Sequence, residues 1–208
     1  MGDVKFSVIN IGTLSLNKFW GEAQRVRRPS ATCTLVTLGL RRLLVDPSPE
    51  PDLLRPMLFA RSGLAPEDIS IVFLTHAHGD HRFGLELFPG SLWLMAAEGL
   101  RLWRERSPED AALTERFLPA EEILPSDVEL LSTPGHCEGH HSLGVDTEWG
   151  RLVVAGDAVM TRDFLAAEDG FHNSVDFEQV KATIRKIRAT ADLIIPGHDN
   201  LILNRRDA

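Results

Sequence analysis

The fold of this chain is decided by one stretch in its N-terminal half. The stretch is Thr75-His76-Ala77-His78-Gly79-Asp80-His81-Arg82-Phe83-Gly84. Residues 69–74, just before it, are Ile-Ser-Ile-Val-Phe-Leu, and this β-branched and aromatic run predicts a buried strand. The histidines and the aspartate therefore follow the end of a core strand, where α/β proteins place chemical groups on a rigid support.

Four ligand-type side chains in this stretch indicate a metal site. Clustered imidazoles and a carboxylate leave lone pairs unused unless a cation lies between them, and a divalent transition metal meets that need. His76 and His78 are two residues apart, so in an extended chain they point the same way and can bind one ion. Asp80 and His81 follow a glycine that permits a tight turn, and can point toward a second ion. A histidine-rich surface loop without metal is the alternative, which the position after a core strand disfavours.

Three later strand ends carry further ligand-type residues. They are Pro134-Gly135-His136 after residues 128–133, Gly156-Asp157 after residues 151–155, and Pro196-Gly197-His198 after residues 192–195. A carboxylate has two oxygens and can bridge two cations a few ångströms apart, as two-metal sites require.

The motif His76-x-His78-x-Asp80-His81 after Phe73-Leu74-Thr75 resembles the signature of the metallo-β-lactamase-fold hydrolases. The later strand ends match that family's remaining motifs in order, so the resemblance spans nearly the whole chain. It implies an α/β fold, a four-layer αββα metallo-β-lactamase sandwich, as a single domain over residues 1–208. Residues 156–161 and 197–200 look closest to the small single-domain members, similar to the metallo-β-lactamase domain-containing protein 1 group.

The resemblance also implies a ligand set for two divalent metal ions. The first ion would take His76, His78 and His136, the second would take Asp80, His81 and His198, and Asp157 would bridge them. Zinc suits imidazole and carboxylate ligands best, with iron and manganese as alternatives. Asp80 and Asp157 are the implied catalytic carboxylates, Asp80 by orienting the attacking hydroxide.

Five other residues are candidates for supporting the ligands or contacting substrate. Asp46 matches a strand-end aspartate that supports the ligands in the family, although an Asp-Pro turn is the simpler alternative. His140 matches a second histidine of the third motif. Met160 stands where the related lactonases place a tyrosine, and this chain contains no tyrosine. His172 and Trp20 are candidates for the pocket, each with an ordinary loop or packing role as the alternative.

A loop or hairpin is predicted over residues 15–30, with a basic cluster at Arg25, Arg27 and Arg28. This segment is expected to overhang the site and contact substrate, and a solvated basic loop is the alternative. Helices are predicted at residues 50–62 and 97–106. A further helix is predicted with a buried stripe of Phe177, Val180, Ile184 and Ile187, and residues 107–125 are expected to form a connector with a helical turn or two.

Composition sets the remaining expectations. The 208 residues are 43% hydrophobic and carry a net charge of −8, which suits one globular domain. No apolar stretch is long enough to span a membrane and no signal peptide is visible. We therefore expect a cytoplasmic protein with no membrane contact, with Cys33 and Cys137 as free thiols. The acidic balance disfavours a nucleic-acid partner without excluding a small phosphodiester, and a homodimer is an open option.

Three functions follow from these observations. The first is hydrolysis of a small-molecule ester, lactone or thioester by a metal-bridging hydroxide. The second is phosphodiesterase or nuclease activity on the same metals, and the third is a mono-iron redox or metal-binding protein without hydrolysis. The missing tyrosine disfavours a lactonase, and His78 argues against flavodiiron enzymes, which have glutamate there. Because the sequence ends ten residues after His198, no C-terminal helical domain of the glyoxalase-II type is expected.

Overall fold

Two β-sheets and the helices that cover them make up the fold. The computed structural model describes residues 4–204. The strands are β1 (Val4–Asn10), β2 (Cys33–Leu38), β3 (Arg41–Val45), β4 (Ile71–Leu74), β5 (Leu92–Met95), β6 (Phe117–Pro119), β7 (Val128–Ser132), β8 (His141–Thr147), β9 (Gly150–Gly156), β10 (Leu193–Pro196) and β11 (Ile202–Leu203). The α-helices are α1 (Pro51–Ser62), α2 (Ala97–Arg106), α3 (Ala111–Thr114), α4 (Arg162–Ala167) and α5 (Phe177–Thr190).

The chain fills one sheet before it starts the other. The first sheet has the order β1-β2-β3-β4-β5-β6, and the second has the order β11-β10-β9-β8-β7. Strands β3 to β6 run parallel, as do β9 and β10. Parallel strands end at the same edge of a sheet, so the loops after β4 and β5 emerge together, as do those after β9 and β10.

Alternating side chains explain why the sheets are covered on both faces. In β4, Ile71 and Phe73 point into the core between the two sheets, while Val72 and Leu74 point outward to the core under α1 and α2. On the second sheet, Val153 and Ile194 pack against α5. A strand buried on both faces needs a continuous apolar run, which is what residues 71–74 supply. The layers are therefore helix, sheet, sheet and helix, and the predicted α/β fold with an αββα sandwich is confirmed.

Helix α5 shows one wrong prediction. The Asp176 carboxylate accepts a hydrogen bond from the Gln179 backbone N–H at 3.0 Å and caps the helix. Val180, Ile184 and Ile187 are buried, as expected from their spacing. Phe177, however, is 41% exposed, because it lies in the first turn, and Thr183 takes its place on the buried face.

The predicted connector at residues 107–125 contains a strand that was not predicted from the sequence. Phe117–Pro119 adds β6 to the edge of the first sheet, in parallel register with β5. Its three residues end in a proline, too short a run for the alternation that predicts a strand. The ends of the predicted single domain, residues 1–3 and 205–208, lie outside the described residues. Within residues 4–204, no helix has both the length and the apolar character needed to cross a membrane.

Phe117 anchors the missed strand and provides a test of it. Its ring is 1% exposed and lies 5.5 Å from the Trp93 ring and 5.4 Å from the Trp103 ring. Phe117→Ala should lower the free energy of unfolding by about 3 kcal/mol or more, since it removes a buried aromatic side chain. Leu118→Ala, at a side chain that is 40% exposed, should cost less than about 1 kcal/mol. Urea denaturation measures both, and equal losses would contradict this packing.

Candidate metal centre

The seven predicted ligands meet at one edge of the sandwich. They form two donor sets, one of His76, His78, His136 and Asp157 and the other of Asp80, His81 and His198. The ligand atoms within each set all lie within 4.8 Å of one another. The loops after β4, β7, β9 and β10 carry these residues, so each donor set contains residues from both sheets.

In the first set, three ring nitrogens converge. His78 Nδ1 lies 2.8 Å from His76 Nε2 and 3.0 Å from His136 Nε2. Asp157 Oδ2 lies 3.2 Å from His136 Nε2 and 3.7 Å from His76 Nε2. A single hydrogen on His78 Nδ1 cannot satisfy both neighbouring nitrogens well, so at least one buried lone pair is left without a donor.

In the second set, the other carboxylate oxygen of Asp157 is the shared neighbour. Asp157 Oδ1 lies 3.1 Å from His81 Nε2 and 3.2 Å from His198 Nε2, and His198 Nε2 lies 3.6 Å from Asp80 Oδ2. His81 Nε2 and Asp157 Oδ1 are both buried and lack a well-aligned hydrogen-bond partner among the described residues. Asp157 thus presents one oxygen to each set.

The donors fit divalent metal ions. Metal–ligand bonds of about 2.0–2.1 Å place neighbouring donors of a tetrahedral site about 3.3 Å apart. The separations within the two sets run from 2.8 to 3.7 Å and bracket that value. Imidazole and carboxylate are ligands that zinc, iron and manganese all accept. A cation in each set would give a ligand bond to the buried nitrogen and oxygen atoms that lack a hydrogen-bond partner.

Asp46 holds the histidines of both sets in the form that metal binding requires. Its carboxylate accepts hydrogen bonds from His81 Nδ1 at 2.8 Å, from the Thr75 hydroxyl at 2.8 Å and from the Thr75 backbone N–H at 2.9 Å. Since the Thr75 hydroxyl gives its hydrogen to Asp46, it accepts one from His76 Nδ1 at 3.1 Å. The ε-nitrogens of His76 and His81 are therefore left with lone pairs facing the centre.

His198 is oriented in the same way by a backbone group. Its Nδ1 donates to the Ser30 carbonyl at 2.9 Å, which leaves Nε2 free to bind a cation. Ser30 lies at the end of the loop of residues 15–30, called the basic loop below, where it pairs with Thr13. The loop is therefore tied directly to a predicted metal ligand. Neither Ser30 nor Thr75 was predicted from the sequence to orient a ligand, and only the position of Thr75 beside His76 indicates its role.

The electrostatics of the two sets differ. Burial lowers the pKa of His76, of His78 and of His136, the last to about 4, so these imidazoles are neutral at pH 7. At His81 burial acts the same way, but the Asp157 and Asp46 carboxylates together outweigh it and raise the pKa. At His198 Asp157, with a smaller contribution from Asp80, likewise outweighs burial and raises the pKa. Burial works against ionisation of Asp157 too, yet the neighbouring His81 and His198 hold its pKa well below the ordinary value. The second set thus favours a cation, whether proton or metal.

Two glycines allow the ligand loops to approach one another. A Cβ atom on Gly197 would lie 2.0 Å from Asp157 Oδ1, so only glycine lets the His198 loop pass beside that carboxylate. Gly156 has φ +53°, in the left-handed region, and a Cβ there would lie 2.7 Å from the Thr75 hydroxyl. Both positions are thus fixed by the packing of the metal centre.

A cavity of about 470 Å³ opens onto the donor sets. Its lining includes His78, Asp80, His136, Asp157 and His198. The rest of the lining comes from three segments: Leu14, Ser15, Arg25, Arg27, Arg28 and Pro29 from the loop, Gly79 from the first motif, and Met160, Phe171 and Asn173 from the region after Asp157. The loop predicted to overhang the site does line it, and Met160 is placed as expected.

Two candidates for the pocket do not line the cavity. Trp20 is 61% exposed, and its Nε1 donates to Asp163 at 3.0 Å instead of facing the cavity. His172 is exposed, and its ring is tilted against that of Phe171 with centroids 4.2 Å apart. Phe171 and Asn173, on either side of it, line the cavity. Both misses arise in irregular loops, where side-chain direction has no period that a sequence could show.

His140 and Cys137 lie behind the first donor set. His140 is fully buried, its Nδ1 is 2.9 Å from the Thr133 hydroxyl, and its ring centroid is 5.1 Å from that of His76. It packs against a ligand, in keeping with a supporting role. Cys137 belongs to neither donor set, and burial raises the pKa of its thiol to about 12. Both Cys33 and Cys137 are free thiols.

An αββα sandwich with two His/Asp donor sets at one edge is the architecture of the metallo-β-lactamase fold. The model of the metallo-beta-lactamase superfamily matches residues 26–198 of the chain. The chain belongs to the metallo-β-lactamase superfamily.

Two kinds of curated protein are similar to the chain in sequence. Metallo-beta-lactamase domain-containing protein 1 of Mus musculus is 34% identical over 148 residues, which cover 67% of this chain and 52% of that protein. N-acyl homoserine lactonase of Bacillus thuringiensis is 27% identical over 160 residues, covering 68% of this chain and 60% of the lactonase. The chain thus spans little more than half the length of these relatives.

Solved structures share the fold at low sequence identity. A Thermotoga maritima protein of metallo-β-lactamase type superposes with a TM-score of 0.72 at 20% identity, covering 97% of this chain and 99% of that one. AidC, a dizinc quorum-quenching lactonase, superposes with a TM-score of 0.69 at 19% identity, covering 86% of this chain and 76% of that one. At these identities the likeness extends to the fold alone.

Gly197→Ala tests whether the second donor set binds an ion of its own. The added methyl group must displace Asp157 or His198, so we expect the variant to retain about one metal ion where the unsubstituted chain retains two. Gly90→Ala is the control, because a Cβ there meets no atom within 4 Å. Elemental analysis after dialysis measures the ratio of metal to protein. Equal metal content in all three proteins would contradict the assignment.

Asp46→Asn tests the shared hydrogen-bond acceptor. An amide cannot accept from His81 and Thr75 with the strength of a carboxylate, so zinc affinity should fall by about 10- to 100-fold, the usual cost of losing such a partner. Competition with a zinc chelator measures the affinity. Asp52→Asn, in the first turn of α1, is the matched control and should bind zinc normally. Unchanged affinity in Asp46→Asn would show that the acceptor is dispensable.

Proposed function

We propose that the chain is a metal-dependent hydrolase that cleaves a small ester, lactone or thioester with two divalent metal ions, zinc first among them. The observation that carries the proposal is the position of Asp157, which presents Oδ2 to one donor set and Oδ1 to the other. A carboxylate placed in this way can bridge two ions. The cavity that opens onto both sets gives a substrate access to them.

Bound divalent ions would lower the pKa of a water molecule and polarise a carbonyl oxygen, so no serine or cysteine nucleophile is needed. His76, His78, His136 and Asp157 would hold one ion, and Asp80, His81 and His198 would hold the other with Asp157. The Asp80 carboxylate also lines the cavity. We infer that it accepts a hydrogen bond from the attacking water and so orients it toward the substrate.

The preference for a carbonyl substrate draws on the relatives and on the cavity wall. The relatives include N-acyl homoserine lactonases, and AidC is described as a dizinc lactonase. Leu14, Met160 and Phe171 give the cavity an apolar side that suits an acyl chain. Met160 stands where the related lactonases are expected to have a tyrosine. A lactone is therefore one member of the proposed substrate class and not its defining member.

Phosphodiester cleavage is the second candidate function. Three arginines line the cavity, and guanidinium groups bind phosphate well. The net charge of −8 weighs against a long nucleic acid, which needs a basic face. A mono-iron protein without hydrolysis leaves the second donor set without a role. Localisation in the cytoplasm and self-association stay predictions.

A hydrolysis screen of the zinc-loaded and manganese-loaded protein tests the proposal. It compares a lactone, a thioester and an activated phosphodiester, with Asp157→Ala as the inactive control. We expect carbonyl substrates to be cleaved and Asp157→Ala to lose the second ion and all hydrolysis, because both donor sets share that carboxylate.

Three outcomes would overturn the proposal. Cleavage of the phosphodiester alone would favour the second candidate function. Normal activity in Asp157→Ala would refute the two-metal mechanism. One iron per chain in protein purified without added metal, together with no hydrolysis, would favour the mono-iron protein.

A further inference from the structure

The basic loop places one unmatched positive charge on the cavity wall. Arg25, Arg27 and Arg28 all line the cavity, and they are the cationic side chains among its lining residues other than histidine. The acidic lining residues are Asp80 and Asp157, both members of the donor sets. A cationic wall in a chain with a net charge of −8 is a local reversal of charge, so it calls for an explanation.

Two of the three arginines are engaged within the protein. Arg27 forms an ion pair with Glu22 and donates to the Leu14 carbonyl at 3.0 Å. Arg28 forms an ion pair with Glu50 and lies over the Phe83 ring, 4.6 Å from its centroid. Their charges are thus matched by carboxylates. These contacts attach the loop to its own base and to the start of α1.

Arg25 differs from its neighbours because its guanidinium has no hydrogen-bond or ion-pair partner in residues 4–204. The backbone around it is nevertheless held in place. The Val26 N–H donates to the Ser15 carbonyl at 2.9 Å, and Thr13 and Ser30 exchange backbone hydrogen bonds at the base of the loop. The loop also contacts the region after Asp157 through Asn17, which donates to Asp163 at 3.2 Å. Because the loop is already held in place, a free charge on it can bind a ligand with little further loss of conformational entropy.

We propose that Arg25 recognises a carboxylate at the far end of the substrate from the bond that is cleaved. This inference rests on the proposed function, which places the reacting carbonyl at the donor sets. Arg25 lines the cavity but belongs to neither set, so the anion it binds is a different group from the reacting carbonyl. One unmatched guanidinium balances one negative charge, and its planar fork pairs with a carboxylate. The substrate class is therefore an ester, thioester or lactone that carries a second, free carboxylate.

The test compares two thioesters in the zinc-loaded protein. One is the thiophenyl monothioester of glutarate, and the other has a carboxamide in place of its free carboxylate. We expect kcat/KM to be about fivefold higher for the acid, the upper range for an accessible ion pair, with succinate and adipate analogues locating the best length. Arg25→Gln should remove this preference by lowering kcat/KM for the acid only, and Arg25→Glu should reverse it.

Arg41→Gln is the matched control, because Arg41 is exposed at the start of β3 and its substitution changes the net charge by the same amount. It should keep the full preference for the acid. Equal kcat/KM values for the two thioesters in the unsubstituted protein, or an equal loss for both in Arg25→Gln, would overturn the inference.

A binding measurement separates this inference from the proposed function. Titration calorimetry compares glutarate with glutaramate on the zinc-loaded protein and on Arg25→Gln. We expect the variant to weaken glutarate binding about fivefold and to leave glutaramate unchanged. That result without hydrolysis of any thioester, ester or lactone would keep Arg25 as a carboxylate site and reject the hydrolase. Unchanged glutarate binding in the variant would reject the carboxylate site, whatever the protein hydrolyses.

Discussion

The hydrogen bonds to Asp46 are the constraint on which the metal centre depends. This residue follows β3 with φ +50°, a left-handed conformation that aspartate tolerates better than most residues. Its backbone N–H donates to the Phe73 carbonyl, which ties it to the end of β4. From there one carboxylate directs His81 straight to one donor set and, through Thr75, directs His76 to the other. A single side chain thus sets the tautomers of ligands in both sets.

Much of this arrangement could be predicted from the sequence. Strands β4, β9 and β10 each contain a short apolar run, and in each case the first ligand follows the end of the strand within two residues. The run therefore places that ligand at a sheet edge. The grouping of these residues into two donor sets was implied by the resemblance to the metallo-β-lactamase-fold hydrolases, and the structure brings them together in those sets. The supporting role of Asp46 was also implied by the resemblance, because an aspartate followed by proline at a strand end is by itself typical of a simple turn.

The cavity wall could not be predicted to the same degree. Whether Trp20 or Arg25 faces the cavity is decided by contacts far along the chain, such as the hydrogen bond from Trp20 to Asp163. His172 and Phe171 are neighbours, and only the packing of Phe171 against Phe164, with ring centroids 6.1 Å apart, decides which one is inside. Strand β6 was missed because a three-residue edge strand is defined by its partner β5 and not by its own residues.

The division of ligands between the two sheets has a consequence for how the chain holds together. His76, His78, Asp80 and His81 come from the first sheet, while His136, Asp157 and His198 come from the second, so neither half contains a complete donor set. Bound ions would therefore act as crosslinks between the two halves, in addition to the hydrogen bonds that already join them, such as those from His198 to Ser30 and from Asn17 to Asp163. His78 and His136, 58 residues apart in the sequence, lie 3.0 Å apart at their ring nitrogens, so an ion held by both would close a long loop, and metal links that close long loops stabilise a fold. If the chain were divided between β6 and β7, neither fragment would hold a complete donor set, and added metal ions would promote the association of the two fragments.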